Sequence, residues 1–332
     1  MLETKRQSDF YKLMKELERH YGLAQSLKIK KELEIAISNK KLTIKKIKEN
    51  LNKRFKVLLR AEKLLASGMD KGDKGSDNKA LADFNKAIEL SPNYTAAYFN
   101  RGIAKGNLGD DKGSLSDFDK AIKMSPNFVE AYYNRGLAKY YLGNYRGAIA
   151  DWGKVISINP NYAEAYYNRG IAKDELGYHK SAITDYTAAI RIYPKYWQAY
   201  VNRGLAKDEL ADYKERVFYR NSAIKDYTKA VKLNPKDDVA FTNRGIAKTN
   251  LGKFVSAKID FDRALKINPK NASAYSLRGS LNAIFGDIIK DATFHKNAVA
   301  DFTKAIKLNP KDSNATKLLK LAKRRVKATL KK

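Results

Sequence analysis

The 332-residue chain is predicted to fold as an all-α solenoid of tandem helix–turn–helix units. Three observations carry that prediction. Prolines recur at 92, 126, 160, 194, 235, 269 and 310, at intervals of 34, 34, 34, 41, 34 and 41. An Asn-Arg-Gly tripeptide recurs at 100–102, 134–136, 168–170, 202–204 and 243–245, and Leu277-Arg278-Gly279 continues it. Between these marks, apolar residues return every three or four positions, the period of a helix face. A repeat of this length is the signature of stacked supersecondary units.

Each unit reads as two helices. The first runs through a stretch such as Ala165 to Lys173 and stops near Leu176-Gly177, where glycine accepts the left-handed conformation of a helix C-terminus. The second carries Ala182, Ile183, Tyr186, Ala189 and Ile190 on one face, and Pro194 prevents its continuation. Stepping back 41 residues from Asn100 reaches Leu59-Arg60-Ala61 and aligns Gly68 with Gly109, which gives seven units with a degenerate first one. On that alignment three units carry seven extra residues. Seven is close to two helical turns, so an insertion within a helix keeps its phase. In the first unit the extra stretch contains Gly72, Gly75 and Ser76 and reads as a loop. Around 211–222 and 287–297 there is no Gly or Pro, so the extra residues, with Val217 and Phe218 or Ile288 and Ile289, are expected to lengthen helices. These extensions are either a second contact surface or simply longer hairpins.

At this point the sequence resembles the tetratricopeptide-repeat (TPR) family, whose 34-residue units carry small residues at unit positions 8, 20 and 27, an aromatic at 24 and Pro at 32. Position 8 is Gly102, Gly136, Gly170, Gly204, Gly245 and Gly279. Position 20 runs from Ala80 through Ser114, Ala148, Ala182, Ala223 and Ala257 to Ala298. Position 24 is Phe84, Phe118, Trp152, Tyr186, Tyr227, Phe261 and Phe302. The resemblance spans about residues 53–310. It implies an α-solenoid of seven tandem TPR units wound as a right-handed superhelix, acting as a protein–protein scaffold or adaptor and not as an enzyme. The chain departs from the family at position 7, which is Arg where Leu is usual, and at position 11, which is Lys105, Lys139, Lys173, Lys207 and Lys248 where Tyr is usual. Asp recurs at position 23, from Asp83 to Asp301. A repeated Arg, Lys and Asp suggests ion pairs along the stack, the alternative being a basic ligand site.

Net charge is +30 and is concentrated at the ends. Residues 1–60 hold 17 Lys/Arg and 7 Asp/Glu, and residues 303–332 hold 11 and 1. A basic field attracts nucleic acid, anionic membrane or acidic proteins, although a Lys-, Asn-, Ile- and Tyr-rich composition would produce the same excess with no functional cause. Residues 1–52 are expected to form a helical basic extension or cap, with amphipathic helices at Phe10–Tyr21 and Leu23–Ile37 and a third, Leu42–Leu51, flowing into the first unit. Residues 311–332 are expected to form a basic capping helix. Leu318, Leu319, Ala322, Val326 and Leu330 make its stripe, and Lys317, Lys320, Lys323, Arg324, Arg325 and Lys327 coat its surface. The alternative function is an RNA- or ribosome-associated factor working through these ends.

No enzyme is expected. There is no Cys, and His20, His179 and His295 match no metal spacing. No cofactor, metal or small-molecule substrate is implied. No apolar run is long enough to span a membrane, so membrane contact is not expected and the chain reads as cytoplasmic.

The resemblance implies that the first helices line a concave peptide groove. Position 6 supplies Asn100, Asn134, Asn168, Asn202 and Asn243, a ladder whose amides offer donor and acceptor to an extended peptide. The alternative is that Asn merely belongs to this repeat subtype. Around the ladder stand Tyr133, Tyr167, Glu130, Glu164, Asp174 and Asp208, which makes the middle of the groove acidic and aromatic and suits a partner segment with basic or apolar side chains.

Overall fold

A computed structural model describes residues 44–210 and 215–329, and every regular element there is an α-helix. The chain divides into two compact units, Met1–Asp110 and Asp111–Lys332. The first contains α1 (Ile44–Asp73), α2 (Asp77–Leu90) and α3 (Thr95–Asn107). The second contains α4 (Asp111–Met124), α5 (Val129–Tyr141), α6 (Tyr145–Ile158), α7 (Ala163–Glu175) and α8 (His179–Ile192). It continues with α9 (Trp197–Glu209), α10 (Arg216–Leu233), α11 (Asp238–Asn250) and α12 (Phe254–Ile267). It ends with α13 (Ala272–Ile289), α14 (Ala292–Leu308) and α15 (Ser313–Thr329). None of the described helices is long and apolar enough to cross a membrane.

The hairpins α5–α6, α7–α8, α9–α10, α11–α12 and α13–α14 share one packing rule. A ring from the second helix packs directly against a glycine of the first. A Cβ on Gly170 would sit 2.6 Å from Cε1 of Tyr186, and one on Gly136 2.7 Å from Nε1 of Trp152. The ring is fully buried in each hairpin and flanked by small residues at 0% exposure, such as Ala182 and Ala189 around Tyr186, with Val155 taking one alanine's place beside Trp152. The small residues therefore set the helix spacing, and the aromatic fills the volume that spacing leaves. The turns within the α5–α6, α7–α8, α11–α12 and α13–α14 hairpins close on a left-handed residue. Gly177, at φ +75°, ends α7, with Tyr178 N–H bonding the Lys173 carbonyl.

The same rule corrects the register of the first unit. A Cβ on Gly68 would meet Phe84 Cε1 at 2.4 Å, so Gly68 holds the close-approach position and not the helix-terminating one. The terminating glycine is Gly75, at φ +70°. The step back from Gly102 is thus 34 residues, and no seven-residue expansion exists here. Gly72 lies inside α1 and only the short turn before Asp77 is a loop. Ala66, not Leu59, takes the position aligned with the asparagines. The helix α1 runs unbroken from Ile44, so the boundary expected at 52/53 falls within it. The helices expected at 10–21 and 23–37 lie outside the described residues.

The other two expansions do lengthen helices. α10 and α13 have 18 residues and α14 has 17, against 13 or 14 in the regular pairs. Their added apolar residues face outward: Val217 and Phe218 are 62% and 70% exposed, Ile288 and Ile289 65% and 58%. In the α13–α14 turn Lys290, at φ 58°, stands where the regular hairpins use glycine. α15 packs on α14 through Ala315 and Ala322, with Leu318 and Leu319 half-buried beside them.

Candidate functional site

The repeated Arg, Lys and Asp form one buried cluster per hairpin. Asp151, Asp185, Asp226 and Asp260 are each at most 5% exposed. Arg169 donates from Nε and Nη2 to the two oxygens of Asp185 at 2.8 and 2.7 Å, and Lys173 reaches the same carboxylate at 2.7 Å. Arg135 and Lys139 hold Asp151, Arg203 and Lys207 hold Asp226, and Arg244 and Lys248 hold Asp260 in the same way. In the last hairpin Arg278 holds Asp301 and Asn282 replaces the lysine. In the first unit Ser67 and Lys71 hold Asp83. Each guanidinium also lies over an aromatic ring, as Arg169 does over Tyr166 at 5.5 Å. Most reach back with Nη1 to the preceding hairpin: Arg135 to Asp119, Arg203 to Thr187, Arg244 to Thr228 and Arg278 to Asp262. These ion pairs are structural, as the spacing suggested, and they also tie one hairpin to the next.

This pairing has an electrostatic consequence. Every Arg and Lys on α5, α7 and α9 is bound to a buried aspartate. The charges left over on those helices are all carboxylates: Glu130, Glu164, Asp174, Glu175, Asp208 and Glu209. A basic protein therefore carries a locally acidic face. Asp174 accepts from Tyr186 Oη at 2.8 Å and meets His179 Nδ1 at 3.0 Å. Burial raises its carboxyl above the ordinary range, against both of those bonds.

Asp208 accepts from Tyr227 Oη at 3.0 Å, but Arg220 stands where His179 stands in the earlier hairpin. Asp208 Oδ1 and Arg220 Nε have no hydrogen-bond partner among the described residues. Burial pushes the Asp208 carboxyl up to about 6, with the Tyr227 hydroxyl and the Arg220 charge opposing it. The folded value lies above the unfolded one near 3.8, so the folded state favours the proton. That contribution is complete below the unfolded value and is lost as pH rises toward the folded one. Ionised Asp208 thus destabilises the protein at neutral pH. Asp208→Asn is expected to gain about 1 kcal/mol at pH 7.5, discounted for partial exposure, and almost nothing at pH 4. Thermal midpoints at the two pH values check this, and equal gains at both would contradict it.

Tyrosines surround the acidic face. Tyr133 and Tyr162 lie 5.2 Å apart between ring centroids, and Tyr167 and Tyr196 lie 4.7 Å apart. Burial, Tyr162 and Glu164 together push Tyr133 up to about 12, against its bond from Asn168. Burial, Tyr167 and Glu164 also raise Tyr196. The four phenols and Glu164 therefore form one neighbourhood.

The asparagines behave less uniformly than a ladder. Asn168 Nδ2 donates to Tyr133 Oη at 2.9 Å, and Asn202 Nδ2 to Tyr167 Oη at 3.1 Å. Asn134 and Asn100 instead donate to the carbonyls of Glu130 and Ala96, four residues back in their own helices. Val201 offers Asn243 no hydroxyl. One amide hydrogen of each bonded asparagine is thus spent inside the protein, and among the described residues nothing donates to their Oδ1 acceptors. Asn134, Asn168, Asn202 and Asn243 belong to the second unit and Asn100 to the first.

Among the described residues, no three His, Asp or Glu side chains form a group that could hold a metal ion.

Residues 73–109 and 136–177 match a sequence profile described as TPR repeat, and residues 95–128, 163–196 and 239–271 match one described as tetratricopeptide repeat. The structure is similar to a tetratricopeptide repeat protein from Parabacteroides merdae ATCC 43184, with TM-score 0.57 and 20% identity over 80% of this chain and 99% of that one. It is also similar to a chain of the APC/C hetero-tetramer Cut9–Hcn1, with TM-score 0.56 and 17% identity over 77% of this chain and 48% of that one. At these identities the likeness is one of fold. A 44-residue stretch is 48% identical to an uncharacterised protein of Methanocaldococcus jannaschii, covering 13% of this chain and 51% of the relative. The chain thus spans about half the length of that curated relative. The glycine-on-aromatic hairpins, the profile matches spread from residue 73 to 271 and the shared fold lead to one assignment: the chain belongs to the tetratricopeptide-repeat family.

Proposed function

We propose that this protein is an interaction scaffold that binds an extended, basic segment of a partner protein along α5, α7 and α9. The observation that carries the reading is the neutralisation of every cation on those helices by a buried aspartate, which leaves Glu130, Glu164, Glu175 and Glu209 exposed and, among the described residues, unpaired with Lys or Arg. Tyr133, Tyr162, Tyr167 and Tyr196 supply rings on which a lysine or arginine side chain can rest its stem and charge. The free Oδ1 atoms of Asn134, Asn168 and Asn202 are acceptors for backbone N–H groups of an extended peptide, which are independent of its sequence.

The test is fluorescence anisotropy with a labelled Arg/Lys-rich peptide and its Glu-substituted counterpart. The basic peptide is expected to bind, and Glu130→Lys with Glu164→Lys to weaken it at least thirtyfold, in proportion to two desolvated ion pairs at about 1 kcal/mol or more each. Asn168→Ala with Asn202→Ala should weaken it several-fold. Equal binding of the two peptides would sink the reading.

A further inference from the structure

We propose that the cleft between α13 and α15 is a separate docking site, for an acidic peptide segment carrying one apolar anchor residue. Ala283 and Ile284 of α13 form one wall, Leu318, Leu321 and Ala322 of α15 the other, and Phe302 of α14 the floor. The floor ring is fully buried, but Leu321 is 42% exposed at the cleft mouth. Leu321 thus carries the apolar lining of the cleft out to the surface, where an apolar side chain can join it.

What surrounds that leucine sets the chemistry of the occupant. On a helix, the neighbours of residue 321 are those three and four positions away. They are Lys317, Leu318, Arg324 and Arg325. Arg325 also lines the cleft and is paired with Asp287. Lys317 and Arg324 have no carboxylate partner among the described residues, and α15 contains no acidic residue at all. Two unneutralised cations therefore flank the cleft mouth on the Leu321 side. Lys323 and Lys327 project from the opposite side of the helix, given its 100° per residue. An anchor residue in the cleft, with Glu or Asp a few residues to either side, would meet the apolar wall and both cations together. Nucleic acid would meet only the cations. No ring in the cleft is exposed for base stacking, and the Asp287 carboxylate beside Arg325 repels phosphate.

The experiment uses the full chain and a fluorescein-labelled twelve-residue peptide of Glu and Asp around one central Leu, with anisotropy as the readout. Changing the central Leu to Ser in the peptide should weaken binding at least tenfold, and Leu321→Ser in the protein should do the same. Because Leu321 is exposed, that variant keeps its fold, which circular dichroism verifies. Lys317→Glu with Arg324→Glu should weaken binding at least tenfold, whereas Lys323→Glu with Lys327→Glu, the same change in charge on the far side, should weaken it less than threefold. Equal effects of the two charge pairs, or equal binding of the Ser-centred peptide, would overturn the proposal. Tighter binding of an oligouridylate, indifferent to Leu321→Ser, would also overturn it and assign the cations to nucleic acid.

Discussion

Asp185→Ala is expected to cost about 3–5 kcal/mol, the loss seen when one partner is removed from a buried ion pair. Asp185 is 3% exposed, and Arg169 and Lys173 are 21% and 18% exposed around it. Removing the carboxylate leaves two desolvated cations facing each other with nothing between them. Arg169 keeps its place over Tyr166 at 5.5 Å, but that contact supplies only about 1 kcal/mol and opposes neither the repulsion nor the lost hydrogen bonds. Urea unfolding should show the loss as a local early transition, because repeats are stabilised mainly by their neighbours. A triple replacement, Asp185→Leu with Arg169→Met and Lys173→Met, is expected to recover most of it, since an apolar cluster of similar volume needs no desolvated charge. A single Asp185→Ala variant that melts like the parent would show that the cluster is solvated in practice. It would also remove the reason for treating Glu130 and Glu164 as the uncompensated charges of the face.

The sequence made the periodic parts of this fold legible, and the exceptions have physical causes. Small and aromatic residues at fixed spacing announced the hairpins, because close helix approach requires both. The Arg, Lys and Asp pattern pointed to ion pairs, because opposite charges that recur together at fixed spacing can neutralise one another in every hairpin. The first unit was misaligned because Leu59-Arg60-Ala61 imitates Asn-Arg-Gly. Side-chain complementarity was the better guide. In the unexpanded hairpins the glycine precedes its aromatic by 16 residues, as Gly136 precedes Trp152 and Gly170 precedes Tyr186, and Phe84 then points back to Gly68. Lysine precedes aspartate by 12, and Asp83 points back to Lys71. The candidate face was legible in its residue types but not in its bonding. Whether an asparagine donates to a tyrosine across the helix interface or to its own helix depends on the residue opposite, which only packing reveals. The cleft beside Leu321 was hidden for the same reason: its walls come from residues more than thirty positions apart, on two helices with a third between them.

Gly170→Val is expected to cost about 3 kcal/mol, and Gly153, in the preceding hairpin, offers the opposite result. At Gly170 two effects compete. Valine gains a few tenths of a kcal/mol in helix propensity over glycine, whereas overpacking a filled core costs about 1–3 kcal/mol or somewhat more. The Cβ alone would stand 2.6 Å from a Tyr186 ring that is 1% exposed and tied by its hydroxyl to Asp174, so the ring has nowhere to turn and the helices must separate. Overpacking wins. At Gly153 a Cβ meets nothing nearer than Arg169 Nη1 at 3.8 Å. That position holds Asp119, Thr187, Thr228 or Asp262 in the other hairpins, each bonded to the arginine of the next, and glycine leaves Arg169 without this link. Gly153→Asp is therefore expected to gain about 1 kcal/mol, from propensity and from a new bond to Arg169. Chemical denaturation of the two variants gives the comparison, and a gain at Gly153 that persists when Arg169 is replaced by Met would place it in propensity alone. The two glycines are both helical, yet one is required by the ring that covers it and the other only interrupts the chain of arginines that joins successive repeats.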